Sequence, residues 1–228
     1  MDSSHLQQKI YEAYRKLKNY YYYDNTSLFT RIRLAEYEND LYKLEKAKFK
    51  KVFADKTSDL LDILECRDKN DEKLNTLLGK IDFKILPKSM KEIDQKDDLM
   101  VTYISNNRSK DTLEVDDYNI VIDAPIDVHL ISTLWIMFVG IHLSKFIKAN
   151  NYAYIFSINH SDYGSKEYLP SGLQLYTPYY KGYQDWRDNA LKKAESILNN
   201  HKNATIVSLD IKRYFYNVRI DVPKIRNS

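Results

Sequence analysis

Ile206-Val207-Ser208-Leu209-Asp210-Ile211-Lys212-Arg213-Tyr214-Phe215-Tyr216-Asn217-Val218 is the stretch that decides our interpretation of the fold. Four β-prone, mostly apolar residues lead into a single aspartate, and aromatic residues follow it. This pattern predicts a strand that runs into Asp210. A carboxylate at the end of a buried strand costs free energy unless its charge is compensated, and a divalent cation is the usual compensation. Asp210 is therefore a candidate metal ligand. On this residue alone, a salt-bridged or helix-capping aspartate is the simpler interpretation.

The composition favours a folded chain that works in a reducing compartment. The 228 residues suffice for one large domain or two small ones. The single cysteine, Cys66, excludes an internal disulfide and fits a cytoplasmic location, and we expect it to be packed. The N-terminus does not have the features of a signal peptide. The most apolar run, residues 130–143, falls short of a membrane span, so we expect no membrane association.

Charge and aromatic content leave nucleic-acid binding open without requiring it. The formal net charge is +3, with basic ends and an acidic middle. Basic ends could hold a phosphate backbone, although solvated helix faces explain them as well. The 20 tyrosines could serve as stacking platforms for bases. A compositional drift toward Lys, Asn, Ile and Tyr explains most of that count.

Helical periodicity dominates the first 80 residues. Apolar residues recur at spacings of three and four over residues 4–23, which predicts a helix with one buried face. Further helices are predicted over Leu28–Phe53, from Thr57-Ser58 to Leu64, and over Asp71–Leu78, where Gly79 suits a C-cap. Residues 1–80 are therefore interpreted as a helical N-terminal region.

The period then changes to that of β-strands. Ile81, Phe83 and Ile85 alternate with polar residues, which predicts a half-buried strand that ends at Leu86-Pro87-Lys88. Residues 100–104 and 118–122 are two further predicted strands. Asp123-Ala124-Pro125 is predicted to start a long central helix that reaches about Ala149. A last helix is predicted over Tyr183–Asn199, with Trp186, Ala190, Ala194, Ile197 and Leu198 facing inward. The predicted fold class is α+β.

Other chemical motifs in the chain are weak. One cysteine and five scattered histidines do not provide zinc-ligand spacing, and five glycines do not form a phosphate loop. His160-Ser161-Asp162 are adjacent, which is not how a catalytic triad is built. Val115-Asp116-Asp117 resembles a metal-binding hairpin, but it lacks an apolar strand before it. We therefore interpret it as a chance resemblance and not as a metal site. Asp210 remains the main candidate.

Residues 209–218 resemble the first palm motif of reverse transcriptases, in which an apolar residue, Asp and Ile precede two variable residues and then aromatics. The order of the surrounding segments is similar to that of bacterial reverse transcriptases of the unclassified, antiviral-defence and abortive-infection kind, and the likeness covers essentially the whole chain. The segments that carry it are Tyr14–Tyr23 with Leu34-Ala35-Glu36, Leu86-Pro87-Lys88, Ala124–Leu130 with Leu134-Trp135-Ile136 and Val139-Gly140, and Leu175–Tyr180 with Tyr183 and Trp186–Ala190.

The resemblance implies fingers and a partial palm in residues 81–228, and a two-metal nucleotidyl transfer that uses Mg²⁺. It implies that Asp210 and the backbone carbonyl of Ile211 bind metal. It also implies that the ring of Phe215 lies under the sugar and favours dNTPs, and that Lys88 contacts the triphosphate or the template. A core Phe215 and a solvated Lys88 are the alternatives. The implied partners are an RNA template and a DNA product.

The chain departs from the family pattern in two places. Tyr152-Ala153-Tyr154-Ile155-Phe156 stands where these enzymes carry Tyr-Gly-(Asn or Phe)-Arg, which puts a nucleotide or template contact in doubt. The later hairpin with its paired aspartates and the thumb do not occur in the 228 residues. We therefore expect this chain alone to be inactive and to need a complementing chain. The alternatives are a non-catalytic nucleic-acid-binding or interaction module with a polymerase-like fold, and a helical interaction domain without the strands.

Overall fold

The computed structural model of the chain describes residues 3–24, 27–66, 68, 71–90, 115–142, 151–152, 156, 172–176, 179–209 and 219. Its helices and strands, in chain order, are α1 (Ser3–Tyr23), α2 (Leu28–Glu38), a 3₁₀ turn (Asn39–Leu41), α3 (Lys46–Lys56), α4 (Ser58–Glu65), α5 (Glu72–Leu78), β1 (Asp82–Met90), β2 (Val115–Asp123), α6 (Ile126–Phe138) and α7 (Tyr179–Asn199). The α+β fold class is confirmed. The predicted strand at residues 100–104 lies outside the described residues.

The chain divides into two compact units, residues 1–149 with 155–177 and residues 150–154 with 178–228. The first unit contains the elements from α1 to α6 together with an isolated bridge between Phe156 and Tyr176. The second contains α7 and the residues after it. The division predicted at residue 80 stays a prediction.

Helix α1 provides one side of the core, as its periodicity predicts. Ile10, Ala13, Tyr14, Leu17 and Tyr21 are buried along one face, at spacings of three and four residues. The face packs most extensively against α6 and also contacts α2 and α4. The helix prediction for residues 4–23 is confirmed.

The single helix predicted over Leu28–Phe53 is wrong, because the chain turns in its middle. Helix α2 ends at Glu38, and α3 begins only at Lys46. Between them Lys43 adopts a left-handed backbone with φ of 60°, which no helix accommodates. The turn lets Leu41 and Phe53 enter the same core as Tyr14. Tertiary packing therefore overrides a helical pattern that was locally continuous.

Strands β1 and β2 pair antiparallel into a ribbon, in a register that joins Asp82 to Asp123, Ile85 to Ile120 and Pro87 to Tyr118. The register shifts between Pro87 and Met90. The alternation was predicted correctly, but the buried face was not. Phe83 and Ile85 are exposed, whereas Lys84 and Leu86 are half-buried together with Val121 of β2. The reason is the ion cluster around Asp123 described below.

Helix α6 lies in the core, but its described part is shorter than predicted. It begins after Pro125 and buries Ile126, Leu130, Leu134 and Met137. It ends at Phe138, where Val139–His142 form a turn. Glycine disfavours a helix interior, and a Cβ on Gly140 would come within 3.3 Å of the Trp135 ring, a closer contact than most side chains make. Residues 143–149 of the predicted helix lie outside the described residues.

Helix α7 begins at Tyr179, four residues before the predicted start. Of the side chains predicted to face inward, Ala194 and Ile197 are half-buried. Trp186, Ala190 and Leu198 are exposed, so that part of the prediction is wrong. Within this unit, the Asn189 amide donates to the Tyr152 hydroxyl at 3.1 Å. The packing of Cys66 was also predicted wrongly, since the thiol is exposed just after α4.

Candidate functional site

Of the four residues assigned to the site from the sequence, the structure describes one. Lys88 lies on β1, near the end of the ribbon where the register shifts. Asp210, Ile211 and Phe215 lie outside the described residues, so their roles stay predictions. The described geometry is therefore that of Lys88 and its ribbon in the first unit and, separately, that of residues 202–209 in the second unit.

Lys88 is an exposed lysine, and among the described residues one carboxylate lies beside it. Its Nζ lies 3.3 Å from Oδ2 of Asp117, across the ribbon, and the two side chains are 57% and 42% exposed. Asp117 also accepts a hydrogen bond from the backbone N–H of Tyr118 at 2.9 Å. Because an exposed ion pair contributes little free energy, a phosphate could take the place of Asp117 without a large cost. Lys88 is therefore available to an anionic ligand.

The other end of the ribbon holds a buried carboxylate. Asp123 is the last residue of β2, and its side chain is 6% exposed. Arg33 of α2 donates to it twice, from Nε to Oδ1 at 3.1 Å and from Nη2 to Oδ2 at 2.9 Å. Lys84 of β1 places its Nζ 2.8 Å from Oδ2. This Asp123 cluster joins the ribbon and α2, directly before the start of α6.

The cluster has a structural role, because the Asp123 carboxylate is already paired with two cations. Hydrogen bonds from Arg33 and Lys84 hold the pKa of Asp123 below its ordinary value, because both stabilise the ionised form. A carboxylate with such a low pKa is a poor general base near neutral pH. The Lys84 ammonium also lies 4.7 Å from the centre of the Phe29 ring on α2, a cation–π arrangement. The cluster therefore fixes the base of the ribbon against α2.

Local sequence patterns point to only one member of this cluster. Asp123 precedes Pro125 at the predicted start of α6, where a carboxylate suits the helix dipole. Arg33 is 90 residues away in the sequence, and nothing in the local pattern links the two. Lys84 looked like a solvent-facing residue between Phe83 and Ile85. Only the tertiary arrangement of α2 and β1 reveals their common partner.

The residues that precede Asp210 do not form the predicted buried strand. Residues 202–209 have no helical or strand structure. Ile206, Val207 and Leu209 are exposed, and Leu209 reaches 88%. In the described part of the chain, sheet pairing is limited to β1 with β2 and the bridge at Phe156, so the described residues provide no neighbouring strand for this segment. An apolar segment gains its strand structure from such a neighbour, and the strand prediction for 206–209 is therefore wrong.

The predicted Mg²⁺ ligands, Asp210 and Ile211, lie outside the described residues. Within the ranges that the structure describes, His, Cys, Asp and Glu side chains do not form a group of three or more that could hold a metal ion. Asp117, which we interpreted as part of a chance resemblance, is engaged by Lys88. Asp210 and the backbone carbonyl of Ile211 are therefore the groups that would hold Mg²⁺, as the resemblance implies.

Comparisons with protein families, curated proteins and solved structures identify no match to this chain. Over the described ranges, none of the helices combines the length and the apolar character needed to cross a bilayer.

Proposed function

We propose that the chain is the N-terminal portion of an RNA-directed DNA polymerase, with the fingers and part of the palm. The supporting observation is the order of elements around the ribbon. A strand carrying Leu86-Pro87-Lys88 pairs with the strand that ends at Asp123, and α6 follows after two residues. This is the arrangement that the resemblance requires of a fingers hairpin and its following helix.

In this proposal the described residues position and bind. The Asp123 cluster fixes the base of the ribbon through two bonds from Arg33 and one from Lys84. Lys88 lies six residues after Asp82 on the strand that this cluster anchors, with its ammonium exposed. A lysine held on a rigid strand loses less conformational freedom when it binds a phosphate than one on a loop. Lys88 would thus contact a dNTP or the RNA template.

The remaining roles come from the resemblance. Asp210 and the Ile211 carbonyl would bind Mg²⁺, which would supply electrostatic stabilisation of the transferring phosphoryl group. Phe215 would exclude a 2′-hydroxyl and so favour dNTPs. The RNA template and the DNA product would be the nucleic-acid partners. A cytoplasmic location and a role in antiviral defence belong to the same proposal.

The test combines binding and primer extension with the purified 228-residue chain. We expect the chain to bind dNTP in a Mg²⁺-dependent manner, measured with a fluorescent dNTP, and to incorporate no nucleotide into a primer on an RNA template. The Asp210→Asn variant should lose the Mg²⁺-dependent binding, and Asp185→Asn on α7 serves as the matched control. Incorporation by the purified chain would contradict the expectation that Asp210 cannot act alone.

A second candidate, an interaction module with a polymerase-like fold, is favoured by one observation. One face of the ribbon exposes large apolar side chains, among them Phe83, Ile85 and Ile122. Exposed apolar surface of this kind is typical of a binding surface. The Asp210→Asn variant distinguishes the two candidate functions. If the chain is a non-catalytic module, the variant should bind its ligands as the wild type does, whereas the polymerase candidate predicts that Mg²⁺-dependent binding is lost.

A further inference from the structure

The ribbon has an outer face composed of apolar side chains. Antiparallel pairing places Phe83 opposite Ile122, Ile85 opposite Ile120, and Pro87 opposite Tyr118. Residues that face each other across an antiparallel pair lie on the same side of the sheet. These six side chains form what we call the outer face: Phe83, Ile85, Pro87, Tyr118, Ile120 and Ile122. All six are exposed.

The outer face is large for a surface left in water. Its five large residues are 53–67% exposed, which corresponds to roughly 600 Å² if each offers about 200 Å² when fully exposed. A contiguous apolar patch of that size lies at the upper end of what monomeric proteins expose. Two such faces packed together would bury roughly 1,200 Å², the lower limit for a specific protein interface.

The chemistry of the outer face selects among occupants. None of its six residues is charged, so it offers no ammonium or guanidinium group to a phosphate backbone. Three are isoleucines, which provide no flat ring on which bases stack. A protein surface is therefore the better occupant. Because the face carries no charge, a second copy meets no like-charge repulsion there, and sheets pack readily face to face through apolar side chains.

We propose that the outer face binds a second copy of this chain, with the two ribbons packed face to face around a two-fold axis. The buried area is at the lower limit for specific complexes, so the dimer is weak and its population depends on concentration. In a two-fold interface each residue acts twice, once from each copy. This inference does not rest on the polymerase function.

The experiment is sedimentation equilibrium of the full chain between about 1 and about 100 µM, a range chosen for a weak interface. We expect the wild type to move from monomer toward dimer over this range. The Ile85→Lys variant should raise the dimer dissociation constant by roughly 100-fold or more, because each copy then buries an unpaired lysine charge in the interface. Ile122→Thr, which preserves β-branching, should weaken the dimer by a smaller factor and serves if Ile85→Lys does not fold.

Tyr42→Lys is the matched control, since it adds the same charge at an exposed aromatic outside the ribbon, and it should dimerise as the wild type does. A wild type that stays monomeric up to the highest concentration would overturn the proposal. So would a dimer that Ile85→Lys and Ile122→Thr leave unchanged. A labelled single-stranded oligonucleotide is titrated in parallel. Binding that Ile85→Lys abolishes, without a dimer in the wild type, would assign the face to nucleic acid instead.

Discussion

Replacing Lys88 by methionine separates a ligand contact from a structural one. The only described partner of its ammonium is Asp117 at 3.3 Å, and both side chains are about half exposed. Exposed pairs of this kind contribute about 0.2–1 kcal/mol. For a chain of this size, a change of 1 kcal/mol shifts the melting temperature by about 2–4 °C. Lys88→Met should therefore lower the melting temperature by no more than about 4 °C.

The effect on ligand binding should be larger than the effect on stability. A hydrogen bond from a charged group contributes about 1.5–3 kcal/mol, and 1.4 kcal/mol corresponds to a factor of about ten in affinity. If Lys88 contacts a phosphate, Lys88→Met should weaken binding of an RNA–DNA primer–template or of a dNTP at least about tenfold. Asp117→Asn should act in the opposite direction, because it removes the carboxylate that competes with phosphate for Lys88.

The assay is fluorescence anisotropy of a labelled primer–template and of a labelled dNTP at several salt concentrations. Loss of one phosphate contact should reduce the slope of log affinity against log salt by about 1 for the ligand that Lys88 touches. Lys73→Met is the matched control, since Lys73 is also an exposed lysine in ion pairs, with Asp59 and Asp62 on α4. Equal effects of Lys88→Met and Lys73→Met on both ligands would refute the reasoning, and so would an unchanged affinity in Lys88→Met.

Three further predictions concern the first compact unit. The pKa of Asp123 is lower in the folded chain than in the unfolded one, so its stabilising contribution is present above about pH 4 and is lost as the pH falls toward its folded pKa. The Asp123→Asn variant should therefore melt at a lower temperature than the wild type at pH 7. This difference in melting temperature should shrink in melts below pH 4. Burial lowers the pKa of Lys16 to about 8, so the buried ammonium destabilises the folded chain below pH 8. Between pH 8 and about 10.5 the folded chain loses this charge. Chemical denaturation should therefore show the free energy of unfolding of the wild type rising by up to about 3 kcal/mol relative to that of Lys16→Met. Leu130 is fully buried in α6, whereas Leu78 at the end of α5 is half exposed, so chemical denaturation should give a loss of about 2–5 kcal/mol for Leu130→Ala and much less for Leu78→Ala.

Local sequence patterns correctly predicted those helices whose position and ends depend only on their own residues. The buried stripe of α1 is visible from Ile10 to Tyr21, because a helix that packs on one side must repeat apolar residues at its own period. The start of α6 after Pro125 follows from the fixed φ of proline. Helix α5 ends before Gly79 as predicted, although Gly79 keeps a right-handed backbone. These features need no knowledge of the rest of the chain.

The errors arise where distant residues decide. Phe83 and Ile85 are more apolar than Lys84, so alternation alone turns them toward the core. Half-burying Lys84 instead costs little, because Asp123 neutralises its ammonium and the ammonium also lies over the Phe29 ring. The opposite orientation of β1 would leave the buried Asp123 carboxylate with Arg33 as its remaining cation. A buried carboxylate that loses a cationic partner is unfavourable, and the ribbon therefore exposes its apolar face.

The same physical reasoning places a condition on chemistry at Asp210. A carboxylate binds Mg²⁺ more strongly where water is excluded and the local dielectric is low. Residues 202–209 expose Ile206, Val207 and Leu209, and the described residues offer them no strand partner. A neighbouring strand would cover these side chains and remove water from the segment next to Asp210. Strand pairing and Mg²⁺ binding should therefore strengthen each other by the same factor, as linkage requires. The proposed polymerase activity would then depend on a strand that pairs with residues 206–209. A complementing chain that supplies this strand should raise the Mg²⁺ affinity in a titration. The effect should disappear in Asp210→Asn, and an Mg²⁺ affinity that ignores the complementing chain would contradict the coupling.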